Sequence, residues 1–298
     1  MTKVLILGES GQLARALRDL AWPAGFTMTA TGRRQLGAAD RAAEAAAAAI
    51  AAARPHLVLN AAAYTAVDKA EQEPAQAQAL NADLPLAAAR ACAELSIPLV
   101  HVSTDYVFDG TKADAYLETD APNPLGVYGA TKLAGDVNME RGRLRRWAIL
   151  RTSWVFSEAD DSFPAKILRR ALSGEKLRVV DDQVGCPTPA RVLAAAMQAM
   201  SLRLLDQDPA TPGLFNYCGA QAMSWHGFAA RLVDAAGAAG MKRPALQAIA
   251  GDQFPTAVKR PPNSVLNCAK FAREFNMAPA EIDAEIDRTV RAILGRLV

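Results

Sequence analysis

Cysteine and histidine are scarce in this chain, and neither residue is clustered. The four cysteines are scattered along the sequence: Cys92, Cys186, Cys218 and Cys268. No CxxC pair occurs, so the sequence argues against a zinc site or a disulfide framework and favours reduced packing thiols. The three histidines are equally dispersed: His56, His101 and His226. None has the spacing of a metal ligand, and we predict no chemistry for them.

A strong charge of either sign and a long apolar run are also missing. Lys plus Arg number 33 against 31 for Asp plus Glu, a formal charge of +2, which argues against nucleic acid or an anionic membrane as a partner. The chain enters "KVLIL" within two residues of Met1 and has no run of 18 apolar residues. We therefore expect neither a leader nor a membrane span, and a cytoplasmic location.

The 298 residues are 51% hydrophobic, and the first half alternates apolar runs with helical patterns. "KVLILG", "FTMTATG", "HLVLNAAA" and "IPLVHVSTDYVF" predict strands, with helical spacing between them. Repeated βα units of this length predict an α/β fold, a Rossmann-like doubly wound parallel sheet. We assign 1–156 to a dinucleotide-binding domain to which parts of 174–206 return. Residues 157–173 and 207–298 are assigned mainly to a smaller, interleaved C-terminal substrate lobe.

The stretch "LILGESGQLARAL" joins the first predicted strand to the first predicted helix. Gly8, Gly11 and Ala14 give the pattern GxxGxx(G/A). Glycines at such a turn let the backbone approach a pyrophosphate, which the helix amino terminus then faces. The alternative is an ordinary tight turn between a strand and a helix. Its place in the first βα unit favours a dinucleotide site.

The end of the second predicted strand bears on which dinucleotide is bound. An NAD site usually offers an acidic residue there, whereas "ATGRRQLGAAD" offers Arg33 and Arg34. Guanidinium groups suit a 2'-phosphate, so NADPH is favoured. The alternative is that both arginines are simply solvated. Asp40 is expected either to cap the next helix or to hydrogen-bond the adenine.

The segment "YGATKLAG" places Tyr128 and Lys132 four residues apart, on one face of a helix. Thr104 ends the fourth predicted strand, where open α/β sheets bind ligands. A phenol near pKa 10 becomes an effective acid when a neighbouring ammonium group stabilises its phenolate. These residues predict reduction of a ketone, or the reverse, with the Thr104 hydroxyl bonded to the carbonyl oxygen. The alternative is that the pair is an ordinary surface pair.

The glycine loop, the Thr104 strand end and "YGATK" resemble the extended short-chain dehydrogenase/reductases. More narrowly, "NAAAYTAVDKAE", "STDYVFDG", "PNPLGVYGATKLAGD", "RTSWVF", "DDQVGCPT" and "RPPNS" resemble the dTDP-4-dehydrorhamnose reductase family, from Lys3 to about Leu266. The resemblance implies reduction of the 4-keto group of dTDP-4-dehydro-beta-L-rhamnose to dTDP-beta-L-rhamnose for surface polysaccharide such as O-antigen. It also implies NADPH as cofactor, with NADH accepted in many members.

The resemblance assigns roles to individual residues. Tyr128 is the implied proton donor, Thr104 polarises the keto oxygen, and Lys132 binds the nicotinamide ribose and lowers the pKa of Tyr128. The implied cofactor-lining residues are Gly8, Ser10, Gly11, Gln12, Leu13, Ala62, Ala63 and Tyr64. Asp105 and Trp154 match substrate-contacting positions, although Trp154 also suits a protein core. Arg260 is an expected partner of the substrate diphosphate.

Two departures narrow the expectation. Related dehydratases carry a glutamate base where this chain has Tyr106, so we expect reduction without dehydration. Some reductases of the family form dimers bridged by magnesium through glutamates, at positions where this chain has Arg15 and Ala190. A magnesium-bridged dimer is therefore not expected, because that ion prefers carboxylate oxygens. A homodimer of another kind stays open.

Two other functions remain compatible with these motifs. A regulatory subunit of methionine adenosyltransferase resembles the same family and binds a dinucleotide without turning over a sugar. A reductase or epimerase of another nucleotide sugar would carry the same reacting residues. A dTDP-sugar is the partner that the resemblance favours.

Overall fold

The computed structural model describes residues 1–206 and 213–297. The strands are, in chain order, β1 (Thr2–Leu7), β2 (Phe26–Thr31), β3 (Leu57–Asn60), β4 (Leu99–Thr104), β5 (Trp147–Thr152), β6 (Val155–Phe156), β7 (Leu177–Val180), β8 (Val184–Gly185), β9 (Thr188–Pro189), β10 (Gly213–Asn216), β11 (Met223–Ser224) and β12 (Leu246–Ile249). Six of them form one parallel sheet in the order β10-β5-β4-β3-β1-β2. The predicted doubly wound sheet is confirmed.

Helices connect and flank these strands. They are α1 (Gln12–Asp19), α2 (Arg33–Leu36), α3 (Ala42–Ala53), α4 (Val67–Ala70), α5 (Pro74–Gln78), α6 (Leu84–Leu95), α7 (Val127–Arg141), α8 (Phe163–Leu172), α9 (Ala190–Leu205), α10 (Trp225–Ala238), α11 (Ala269–Phe275) and α12 (Asp283–Leu297). A π-helical turn, Ala79–Asp83, joins α5 to α6. Residues 74–95 thus form one continuous helix that is locally widened.

The strand β1 shows how the sheet separates two cores. Val4 and Ile6 pack into a core with α1 and α9, whereas Leu5 and Leu7 pack on the opposite face with α3 and α6. Successive side chains of a strand point to opposite faces, so an uninterrupted apolar run fits a strand covered on both sides. The helices therefore form a layer on each face of the sheet.

A smaller lobe gathers around the later part of the chain. Its β7 pairs in parallel with β12, and α8, α10 and α12 pack together beside them. Phe156, Leu168, Phe228 and Ile286 belong to its core. Short pairings of β8 with β11 and of β6 with β9 lie between this lobe and the main sheet.

The structure differs in detail from the predicted division of the chain. We assigned 207–298 mainly to the substrate lobe, yet β10 pairs with β5 in the main sheet and Phe271 of α11 lies in the core beneath it. Without β10, the backbone groups along the outer side of β5 would lack partners. Residues 207–212 of the predicted boundary lie outside the described residues. No helix in residues 1–206 or 213–297 is long and apolar enough to cross a membrane.

Candidate active site

The glycine loop lies between the end of β1 and the start of α1. Gly8 has φ +107, and a Cβ there would lie 3.1 Å from the Ala62 backbone nitrogen. Gly11 precedes α1 without a side-chain cap, and a Cβ added to it would meet nothing within 4 Å. No side chain caps the first amides of α1, and a helix amino terminus favours an anion. These residues fit the pyrophosphate of a dinucleotide.

The other predicted loop residues divide between surface and interior. Ser10 is exposed. Leu13 is 8% exposed and packs in the main core. The Gln12 side chain turns away from the loop, accepting a hydrogen bond from Ser157 Oγ at 2.7 Å. Gln12 and Leu13 can therefore contact a phosphate through their backbone atoms but not through these side chains.

Arg33 and Arg34 begin α2 directly after β2, and both side chains are exposed. Their neighbour Gly32 is buried, and a Cβ there would collide with the side chain of Glu9. The structure thus places a carboxylate beside Gly32, the residue that precedes the two predicted phosphate-binding cations. Asp40 is exposed, and no side chain caps α3, so the capping alternative for Asp40 is not found.

The turn after β3 carries Ala62, Ala63 and Tyr64. Asn60 Oδ1 accepts a hydrogen bond from the Ala62 amide at 3.1 Å, and the Tyr64 amide donates to Asn81 Oδ1 at 2.8 Å. Ala63 lies between these two anchored residues and is half-buried. The turn is therefore fixed against the end of the sheet, beside Gly8.

Thr104 and Tyr128 meet at the carboxyl edge of the sheet. The Thr104 hydroxyl donates to Asp105 Oδ1 at 3.0 Å and lies close enough to Tyr128 to lower the pKa of its phenol. Burial is the largest cause that raises the pKa of Tyr128 to about 12, and the nearby Thr104 hydroxyl partly offsets it. The phenol is therefore protonated at neutral pH, which suits a proton donor.

The start of α7 is fixed by two local contacts. Glu71 Oε1 accepts a hydrogen bond from the Val127 amide at 2.8 Å, satisfying one of the free amides of the first turn. Gly129 lies so close to the backbone carbonyl of Tyr106 that a Cβ would collide with it. This close approach brings Tyr128 to the end of β4.

Lys132 lies one turn further along α7 and is 1% exposed. Its Nζ donates to the Val102 carbonyl at 2.7 Å and lies 3.3 Å from His101 Nε2. Burial lowers the pKa of Lys132 to about 8. The structure differs from expectation here, because the pKa of Tyr128 is raised and Lys132 is not among the groups that shift it. Its assigned role therefore stays a prediction.

Asp105 is 2% exposed and lies directly after Thr104. Burial is the largest cause that raises the pKa of Asp105 to about 7, and the nearby hydroxyls of Ser264 and Thr104 act against it. Within the described residues its Oδ2 has no hydrogen-bond partner although it is buried. One carboxylate oxygen therefore remains available at the site, as a substrate contact would require.

Arg260 lies beside the site with its charge already paired. Its Nη2 donates to Asp68 Oδ2 at 2.6 Å, and its guanidinium carbon lies 5.8 Å from the ring centroid of Tyr106. Tyr106 in turn packs edge-on against Tyr128, with ring centroids 5.6 Å apart. A diphosphate bound by Arg260 would thus share it with Asp68, and this role stays a prediction.

Trp154 is half-buried, with φ +47. Its ring stacks on Trp225 with centroids 3.6 Å apart and an interplanar angle of 6°, and a Cβ on Gly185 would collide with it. A left-handed backbone is uncommon for a bulky residue and persists where its surroundings fix it. Trp154 is therefore a fixed, partly accessible surface and not a fully buried core residue.

Sequence reasoning missed three residues of this region. Asn60 and His101 are completely buried beside Lys132, and Trp225 supports Trp154. A signal for His101 existed: it interrupts the apolar run of β4 at a position facing α7, where a buried polar side chain needs a partner. No comparable local signal marks Trp225.

Arg15 and Ala190 line a cavity of about 630 Å³ together with Arg191, Glu285 and the loop residue Gln12. Arg191 and Glu285 form an ion pair there. In residues 1–206 and 213–297, no group of three His, Cys, Asp or Glu side chains is placed to hold a metal ion.

Comparison with known proteins agrees with this geometry. The sequence profile of the RmlD substrate binding domain matches residues 1–294. A dTDP-4-dehydrorhamnose reductase of Sinorhizobium fredii is 37% identical over 293 residues, which are 98% of each chain. The Salmonella typhimurium protein of the same name is 41% identical over 226 residues, 75% of each chain.

Solved structures give the same result. Bacillus anthracis dTDP-4-dehydrorhamnose reductase in complex with NADP is similar with a TM-score of 0.87 and 26% identity, covering 97% of this chain and 98% of that one. A UDP-glucose 4-epimerase of Thermotoga maritima, at 17% identity and a TM-score of 0.81, shares the fold. The chain belongs to the dTDP-4-dehydrorhamnose reductase family, as its sequence resemblance predicted.

Proposed function

We propose that this protein reduces the 4-keto group of dTDP-4-dehydro-beta-L-rhamnose with NADPH, giving dTDP-beta-L-rhamnose. The observation that carries the proposal is that Thr104 at the end of β4 lies beside the Tyr128 phenol, at the same edge of the sheet as the glycine loop and with Lys132 one turn further along α7. A protonated phenol and a hydroxyl at the carboxyl edge of a parallel sheet can bind one carbonyl oxygen together. The protein is an oxidoreductase acting on CH-OH groups.

Each reacting side chain has a defined task. A bound nicotinamide would supply the hydride to the carbonyl carbon. Tyr128 donates its proton to the oxygen as charge develops there, and Thr104 holds that oxygen by a hydrogen bond. Lys132 holds positive charge under the phenol and helps to stabilise the phenolate that remains. Tyr106 cannot act as the base of a dehydratase, since burial raises the pKa of its phenol.

The cofactor assignment rests on the loop and on the Bacillus anthracis relative, which was solved with NADP. The uncapped amino terminus of α1 offers amides to the pyrophosphate. Arg33 is exposed at the end of β2, where a 2'-phosphate would lie. NADH remains an alternative cofactor in this proposal, because the Glu9 carboxylate lies beside Gly32, the residue before Arg33.

The sugar nucleotide is assigned to the region of Asp105, Trp154 and Arg260. Asp105 offers an unpaired carboxylate oxygen, which suits a sugar hydroxyl. Trp154 offers a rigid ring that suits a sugar or thymine face. Arg260 supplies a guanidinium group for the diphosphate.

The test is NADPH oxidation by the purified protein with dTDP-4-dehydro-L-rhamnose, followed by absorbance, with NADH in parallel. Rapid oxidation with dTDP-L-rhamnose as product is the expected result. Intact NADPH binding without oxidation of this sugar would overturn the proposal. In that case UDP- and other dTDP-keto sugars test the nucleotide-sugar alternative. Binding to methionine adenosyltransferase without turnover tests the regulatory one.

Two further assignments accompany this function. All four cysteines are free and buried, which fits a reducing compartment, and we assign the enzyme to the cytoplasm. A homodimer stays a prediction. Sedimentation of the purified protein tests it.

A further inference from the structure

Two buried polar residues connect the cofactor turn to Lys132. Asn60 ends β3, His101 lies within β4, and both are 0% exposed. Asn60 Nδ2 lies 3.0 Å from His101 Nδ1, and His101 Nε2 lies 3.3 Å from Lys132 Nζ. The proposed reaction uses only Lys132 of these three, so the other two need an explanation.

The hydrogen-bond chain determines which ring nitrogen of His101 carries the hydrogen. The Ala62 amide can only donate, and it donates to Asn60 Oδ1 at 3.1 Å. The amide group of Asn60 therefore presents its NH2 side to His101 Nδ1, which must accept. Burial and the neighbouring Lys132 lower the pKa of His101 well below its usual value, so the ring is neutral. A neutral ring that accepts at Nδ1 carries its hydrogen on Nε2.

This arrangement directs an N–H group at the Lys132 nitrogen. An uncharged amine can accept that hydrogen bond, whereas an ammonium group has donors only. The Val102 carbonyl instead favours the charged form of Lys132, since it accepts a hydrogen bond from Nζ at 2.7 Å. His101 therefore favours the uncharged form of Lys132 and adds to the effect of burial.

Other charged and titratable groups around Lys132 act alongside His101. On α7, Asp136 favours the ammonium form, although its carboxylate is also paired with Arg151 of β5 at 3.0 Å. Tyr128 lies one turn before Lys132 on the same helix. At the end of β4, Asp105 raises the pKa of Tyr128 by its charge. Among the described residues of β4, His101 is the titratable residue whose side chain contacts the Lys132 amine.

We propose that Asn60 and His101 are positioning residues that hold an imidazole N–H against the Lys132 amine and thereby set the upper pH limit of the reduction. The kinetic part rests on the proposed function, because Lys132 must be charged to stabilise the phenolate. The tautomer of His101 does not depend on that function. Each part therefore has its own measurement.

The kinetic experiment compares His101→Phe with wild type and with His56→Gln, an exposed histidine that accepts a hydrogen bond from the Lys3 amide far from the site. Rates of NADPH oxidation with dTDP-4-dehydro-L-rhamnose are measured from about pH 6 to about pH 10, and kcat/KM is plotted. In His101→Phe the midpoint of the alkaline fall should move up by about half to one pH unit. His56→Gln should leave it unchanged.

NADPH affinity, measured by fluorescence, and the melting temperature are recorded for each variant. A purely structural role of His101 would change these quantities without moving the alkaline midpoint. A midpoint that stays in place or moves down in the folded variant would overturn the proposal. If wild type itself fails to oxidise NADPH with this sugar, the proposed function fails. The tautomer of His101 can still be measured in that case, and it tests the hydrogen-bond chain independently.

The tautomer is measured by nitrogen-15 NMR of the wild-type protein. The chain has three histidines, so His56→Gln and His226→Gln assign the His101 signals by elimination without altering the site. A protonated Nε2 and an unprotonated Nδ1 are expected. A protonated Nδ1 contradicts the chain and overturns the proposal, even if His101→Phe does not fold.

Discussion

Trp154 and Trp225 stack face to face, with ring centroids 3.6 Å apart and planes inclined by 6°. Phe163 continues this aromatic cluster, with its ring centroid 4.7 Å from that of Trp225. Trp225 begins α10 of the smaller lobe, whereas Trp154 follows β5 of the main sheet. The stack therefore fixes a surface of the proposed sugar site by a contact between the two lobes.

Replacing Trp225 tests this support. In Trp225→Ala the ring of Trp154 loses its partner, and KM for the dTDP-sugar should rise about threefold to tenfold, since aromatic pairs contribute on the order of 1 kcal/mol. Trp225→Phe keeps a ring and should change KM less. Steady-state kinetics at saturating NADPH give both values. Equal KM values in all three proteins would contradict the supporting role.

Tyr128→Phe tests the proton donor. The ring and its packing remain while the hydroxyl is lost, so turnover should fall by about a hundredfold to ten-thousandfold, the usual contribution of general acid catalysis. NADPH binding, measured by fluorescence titration, should stay near the wild-type value. Retained turnover in this variant would remove Tyr128 from the mechanism.

Asp105→Asn tests the buried carboxyl group through stability. Burial raises the pKa of Asp105 from 3.8 to about 7, so between these values the folded protein binds more protons than the unfolded chain. The free energy of unfolding then falls as pH rises through this window. Asn keeps an acceptor oxygen without the charge, and the variant should be more stable above about pH 7 by on the order of 4 kcal/mol.

The difference should shrink toward zero near pH 4, because Asp105 is then protonated in the folded state and increasingly so in the unfolded state. Thermal melts of both proteins across this range provide the measurement. A constant difference at every pH would show that the charge of Asp105 is not its cause.

Arg33 and Glu9 are expected to set cofactor preference in opposite directions. Arg33→Ala should raise KM for NADPH by about tenfold or more, because a charged hydrogen bond to phosphate is lost, and should leave KM for NADH almost unchanged. Glu9→Gln should lower KM for NADPH by roughly a few-fold, because it removes the repulsion between the Glu9 carboxylate and the 2'-phosphate. Arg145→Ala, an exposed arginine outside the site, is the matched control for lost charge. A parallel change for both cofactors would contradict the assignment.

Much of the fold followed from local pattern. The apolar runs at β1 to β4 and the turn at Gly8 are encoded within a few residues, because strand length, helix period and glycine conformation are short-range properties. Tyr128 and Lys132 share a helix face by their spacing alone. These features could be predicted without knowing which strands are neighbours in the sheet.

Contacts between distant segments could not be found in this way. The contact of His101 with Asn60 depends on the register of β3 against β4, which pairs these two residues directly. The pairing of Arg260 with Asp68 and the stack of Trp154 on Trp225 depend on how two lobes meet. Single-segment patterns carry none of this information, so the sequence predicted the candidate reacting groups but not the residues that position them.

The position of β10 at the edge of the main sheet has a consequence for how such enzymes diversify. Since the chain passes through the smaller lobe before β10 and α11 return to the sheet, neither lobe is one continuous stretch of sequence. A genetic crossover at a single point after β5 would replace the helices of the smaller lobe and the last strand of the main sheet together. New sugar specificity in this architecture should therefore arise by substitutions within the lobe, at positions such as Trp225, and not by exchange of a whole module.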